Sequence, residues 1–60
     1  MYISEILNQS RGKVVVLKTV SGEEIIGVVM KVIKGVVILK LLGRKIYVAI
    51  NKIIAVFKRI

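Results

Sequence analysis

Gly22-Glu23-Glu24-Ile25-Ile26-Gly27-Val28-Val29-Met30-Lys31-Val32-Ile33-Lys34-Gly35-Val36-Val37-Ile38-Leu39-Lys40 reads as a strand, a tight connection and a second strand. β-Branched residues fill most of it; they are stiff at χ1 and suit a pleated surface. The strand Glu24 to Ile33 is long, since strands usually run about 5–6 residues. Gly27 interrupts it, and a glycine there marks a sharp bend or a close backbone approach. A bent strand of this length can serve two faces of a small closed sheet. Lys34-Gly35 is the tight turn that leads into the next strand, Val36 to Leu42.

Working outward, turn signals recur at the spacing of a small all-β domain. Gly43-Arg44 reads as a turn, Lys45 to Ile50 as the fourth strand, Asn51-Lys52 as a two-residue connection and Ile53 to Ile60 as the fifth. On the other side, Lys13 to Val20 reads as the first strand, joined to the second by a hairpin at Ser21-Gly22. Its continuous Val14-Val15-Val16-Leu17 run suggests cover on both faces. Residues Ser4 to Gln9 read as a short helix, with Ser4 as N-cap and Glu5 at the positive end of the dipole. Ile3, Ile6 and Leu7 share one face, and Gly12 is free to take a positive φ at the exit. The expectation is one domain, 1–60, with a helix at about 4–10 and five strands over about 13–58.

A lone domain of 60 residues buries only about 60% of the surface its unfolded chain exposes. Yet 57% of the residues are hydrophobic and the mean hydropathy is +0.86. That excess predicts an oligomer or a constitutive partner. The chain has no cysteine and no proline, so it lacks both a disulfide staple and the common blocker of strand edges. No apolar run reaches the roughly 18 residues of a spanning helix, and Met1 to Glu5 lacks the basic start of a signal peptide. A cytoplasmic protein with no membrane partner is the expectation.

The net charge is +8, from 11 Lys+Arg against 3 Asp+Glu. Such a balance favours polyanions, nucleic acid foremost, because phosphate contacts release counterions. The competing account is that a very apolar chain needs charge for solubility. Catalysis has little to work with. Histidine and cysteine are absent, and the only acids are Glu5, Glu23 and Glu24. Glu23 and Glu24 are adjacent on a strand and point to opposite faces. No nucleophile has a base beside it, and no metal-ligand cluster or phosphate-cradling glycine loop is present. The expectation is no enzyme, no catalytic residue, no metal and no cofactor.

Leu7-Asn8-Gln9-Ser10, followed by a valine-rich strand and Ser21-Gly22-Glu23-Glu24-Ile25-Ile26-Gly27-Val28-Val29, resembles the opening of an Sm-like (LSm) protein. The spacing from Asn8 to Gly22 and Gly27 is similar to the archaeal Sm-like pattern. Val36-Val37-Ile38-Leu39-Lys40 resembles the bacterial host-factor branch. Val48-Ala49-Ile50-Asn51-Lys52-Ile53-Ile54-Ala55-Val56 resembles the family's second motif. The likeness covers about residues 3–58. It implies a strongly bent five-stranded antiparallel Sm-like (SH3-like) barrel behind an N-terminal helix. It further implies hexameric or heptameric rings in which the fourth strand pairs with the next subunit's fifth, binding RNA around the pore.

The chain departs from that pattern in both motifs, including the positions of Val37 and Ala49, where the family contacts bases. Ile33 stands in place of an aspartate, Val37 of an asparagine, Ala49 of an arginine and Ile50 of a glycine; Asn51 keeps its type. By the resemblance, Lys34 falls in one pore-facing loop and Asn51 with Lys52 in another. A lysine there meets phosphate as a point charge, or is an ordinary solvated turn residue. Tyr47 could stack on a base or pack at an interface. Arg44 and Lys45, at a turn, could grip phosphate or be solvated. The reading is an Sm-like homo-oligomeric ring binding RNA mainly by basic electrostatics with weak sequence preference. The alternatives are an Sm-fold assembly module without nucleic acid, and a small basic chromatin-type barrel on duplex DNA.

Overall fold

The structure, a computed structural model, describes residues 2–59. It contains a helix α1 (Ile3–Gln9) and strands β1 (Val14–Thr19), β2 (Glu24–Ile33), β3 (Val36–Leu41), β4 (Arg44–Ala49) and β5 (Ile53–Lys58). A 3₁₀ turn, Ile50–Lys52, joins β4 to β5. The strands form one five-stranded antiparallel sheet in the order β4-β3-β2-β1-β5.

The long second strand has the expected bounds, and its bend has two causes. The first half of β2 pairs with β1, from Lys18↔Glu24 to Val14↔Val28, and the second half with β3, from Val28↔Lys40 to Ile33↔Val36. The register shifts between Val29 and Lys31, so Met30 is an extra residue that kinks the strand. Gly27 lies against β3: a Cβ there would stand 3.0 Å from Leu39 Cβ and 3.2 Å from the Lys40 carbonyl oxygen. The bend thus uses the absence of a side chain at 27 and the surplus residue at 30.

The sheet is open, which corrects the closed barrel read from the sequence. After β4 the 3₁₀ turn carries the chain across the end of the sheet to the free side of β1, where Val20 N–H donates to Lys52 O at 2.8 Å. β5 then pairs with β1 and not with β4. Both outer strands are therefore left with one unpaired edge.

The core is Leu7, Val15, Leu17, Val29, Val37, Leu39, Val48 and Ile53. Leu7 anchors α1 to this core, and the helix lies against β2 and β5. The β1 run is not covered on both faces as expected. Val15 and Leu17 are buried, but Val14 is exposed and Val16 half-exposed. Strand alternation holds, and only apolar residues happen to occupy both faces.

Smaller boundaries also move. The helix begins one residue earlier, with Tyr2 rather than Ser4 as N-cap, and Glu5 Oε1 accepts from the Tyr2 N–H at 3.4 Å. At its end the buried Ser10 hydroxyl donates to Ile6 O at 2.8 Å, and Gly12 has φ +80° as expected. The β3–β4 turn is Leu42-Gly43 rather than Gly43-Arg44, because Leu41 pairs with Arg44. Leu42 and Gly43 have φ +52° and +77°. Two central residues of positive φ are the hairpin geometry that matches strand twist, and glycine takes the second place. The fifth strand ends at Lys58, and the expected end at Ile60 lies outside the described residues.

Candidate nucleic-acid interface

The β2–β3 turn also has two positive φ values, +45° at Lys34 and +79° at Gly35. It lifts Lys34 clear of the sheet. The 3₁₀ turn is tied to it, since Ile50 N–H donates to Gly35 O at 2.8 Å. Lys34, Asn51 and Lys52 thus stand at one end of the sheet, all exposed, on backbones fixed by hydrogen bonds at both Ile50 and Lys52. Two ammonium groups and an amide on a fixed frame can bind phosphate oxygens, but they form no enclosed pocket for a base.

Arg44 and Lys45 do not join them. They open β4, whereas the 3₁₀ turn follows its last residue, Ala49. The four-residue span from Lys45 to Ala49 is about 13 Å at strand rise. The sequence-predicted set therefore divides into two clusters at opposite ends of one strand.

Tyr47 lies between them on the convex face, paired with Ile38, which pairs in turn with Lys31. It is 64% exposed. With Lys52 it borders a cleft of about 380 Å³ along the free edge of β4, whose far wall is the β1–β2 turn. That wall holds Thr19, Ser21 and Glu23, where Thr19 Oγ1 accepts from Glu23 N–H at 3.2 Å. A carboxylate in the cleft opposes phosphate. The cleft suits an apolar or basic group better than a nucleotide phosphate.

The two unpaired edges carry exposed apolar residues. Tyr47 lies on β4; on β5, Ile54 is 57% and Phe57 55% exposed. Such edges are templates for pairing with another chain. Of the positions where the sequence departs from the Sm-like pattern, Val37 is buried in the core and Ile50 packs against it, whereas Ala49 is exposed at the cleft. Val37 and Ile50 cannot be turned toward a ligand without opening the core, and Ala49 offers only a methyl group.

Sequence reasoning missed Arg11 and Lys40. Arg11 Nε donates to Met30 O at 3.2 Å, a bond between residues far apart in sequence. Lys40 faces Lys45 directly across β3 and β4, which a register one residue different would have hidden. Among the described residues no helix is long and apolar enough to cross a membrane, and no group of three or more His, Cys, Asp or Glu could hold a metal ion. Comparison of the chain with protein-family models, curated proteins and solved structures finds no match.

Proposed function

We propose that the chain is a subunit of an Sm-like homo-oligomer, in which the free edge of β4 pairs with the free edge of the next copy's β5. Six or seven copies close a ring that binds RNA through basic charge with weak sequence preference. The observation that carries this is the strand order: it leaves the fourth and fifth strands as the open edges of the described sheet. Each edge bears large apolar side chains that a partner strand would cover. Pairing of unlike edges is head-to-tail and gives a ring when the rotation closes.

RNA binding falls to Lys34, Asn51 and Lys52, the cluster joined through Gly35 and Ile50. Repeated around a ring, it makes a circle of positive charge that meets phosphates without reading bases. Tyr47 belongs to the subunit joint. By the resemblance, the positions that would contact a base are occupied by Val37 and Ala49, neither of which has a side-chain hydrogen-bonding group, and this supports weak sequence preference. The same substitutions favour one other reading, an assembly module with no nucleic acid.

Native mass spectrometry with and without an oligouridine tests both parts. The expected result is a six- or seven-fold mass that rises on adding RNA. Binding should weaken steeply with salt, and Lys34→Gln with Lys52→Gln should flatten the slope by about 0.7 for each phosphate that is no longer neutralised. A ring indifferent to RNA selects the assembly module. A monomer overturns the edge-pairing reading.

A further inference from the structure

The second basic cluster surrounds an unusual turn. Leu42 occupies the first central position of the β3–β4 hairpin at φ +52°, and it is 92% exposed. Asparagine, aspartate and glycine favour this conformation; leucine has neither the backbone preference nor the solubility for it. Leu41 beside it is also exposed. Two leucines thus form the tip of a projecting hairpin.

Positive charge collars the tip. Lys40 and Lys45 stand directly opposite each other across β3 and β4, and Arg44 opens β4 next to them. Like charges directly opposite are destabilising unless an anion lies between them. Among the described residues the acidic side chains lie elsewhere: Glu23 borders the cleft beside Ala49 and Lys52, Glu24 opposes Lys18 across β1 and β2, and Glu5 is in α1. Below the tip an open groove of about 770 Å³ runs to the α1–β1 loop, bordered by Arg11, Lys40 and Leu42, with Val28 and Met30 in its wall. The Arg11 guanidinium is held at this groove by its bond to Met30 O.

We infer that this hairpin tip docks on an anionic phospholipid bilayer, with Leu42 entering the headgroup–acyl boundary and Arg11, Lys40, Arg44 and Lys45 binding lipid phosphates. The inference does not rest on the RNA binding assigned to the opposite end of β4, nor on the ring, which uses the edge of that strand and not its turn. Aliphatic tip and basic collar are the two halves of an interfacial anchor. Nucleic acid would use the charge but has nothing to offer Leu42, and no aromatic side chain lines the groove or tip for base stacking. The expectation of no membrane partner rests on the lack of a spanning segment, and a peripheral attachment needs none.

The test is co-sedimentation of the full chain with vesicles of phosphatidylcholine alone or mixed with phosphatidylglycerol, using Leu42→Asn, Leu42→Trp and Arg44→Gln. Asparagine suits the turn, so Leu42→Asn keeps the fold while removing the anchor. Binding to the anionic vesicles alone is expected, falling about ten-fold in Leu42→Asn and about five-fold in Arg44→Gln. The chain has no tryptophan, so Leu42→Trp reports the tip alone, and its emission should shift to the blue on the anionic vesicles. Unchanged vesicle binding in Leu42→Asn, or no blue shift, overturns the proposal. So does an Arg44→Gln variant that loses oligouridine binding while its vesicle binding stays intact.

Discussion

Gly27→Ala separates two opposed effects at the bend of β2. In the unfolded chain alanine has fewer conformations than glycine, and in a strand interior this favours alanine by roughly 0.5–1 kcal/mol. The backbone at Gly27 is not in the left-handed region, so an L residue suffers no φ strain there. Space decides the sign. The new methyl would sit 3.0 Å from Leu39 Cβ and 3.2 Å from Lys40 O, both fixed to the β3 backbone and unable to swing aside. Relief requires β2 and β3 to separate by a few tenths of an ångström, with Leu39 fully buried in the core they share. Overpacking of this kind costs about 1–3 kcal/mol. The net expectation is a loss of about 1 kcal/mol, or a melting temperature lower by about 4–8 °C for a domain of this size. Thermal unfolding followed by circular dichroism, at matched protein concentration because association adds apparent stability, measures it. A variant as stable as the parent, or more so, would refute the claim that close approach to β3 is what excludes a side chain at 27.

Leu39→Ala removes a fully buried side chain, and a loss of about 2–5 kcal/mol in chemical denaturation is expected; in so small a domain that is enough to unfold much of the population. Leu42→Asn should act in the other direction: a left-handed backbone costs an ordinary L residue about 1–2 kcal/mol, asparagine recovers part of it, and the melting temperature should rise. Ser10→Ala deletes the hydroxyl that donates to Ile6 O at 2.8 Å. Removing this bond should cost about 1 kcal/mol, read as a lower midpoint in urea.

The β pattern is legible because local signals agree with one another. Glu24 to Ile33 is a single β-rich run between turn residues, and its bounds match the structure. Gly27 announces a close approach that Leu39 and Lys40 supply. The Leu42-Gly43 turn lies one residue before the place its sequence suggests, because leucine is a poor turn signal: its position is set by the pairing of Leu41 with Arg44, a tertiary fact. The open sheet is hidden for a similar reason, since closure depends on where the 3₁₀ turn sends β5. The candidate site is legible as residue types but not as a constellation. Lys34 and Lys52 are far apart in sequence and are brought to one end through the Ile50–Gly35 bond. Arg44 looks equivalent to them in sequence and stands at the other end of the strand.

The charge and the edges pull assembly in opposite directions, and this gives the two proposed activities different salt dependences. In the proposed oligomer every copy would bring another net charge of +8 against its neighbours, and at low ionic strength this repulsion is least screened. The proposed edge pairing would rest on backbone hydrogen bonds and on covering the exposed Tyr47, Ile54 and Phe57, which salt does not weaken. Added salt should therefore strengthen association of the free protein. Phosphate binding runs the other way, because salt restores the counterions that the polyanion would release. In low salt a polyanion would neutralise the repulsion and should drive the chain into the proposed oligomer at concentrations where it is otherwise dissociated. Sedimentation across a salt series, with and without oligouridine, displays the crossing of the two trends. Association that weakens as salt rises in the absence of RNA would mean that ion pairs, not apolar strand edges, hold the copies together.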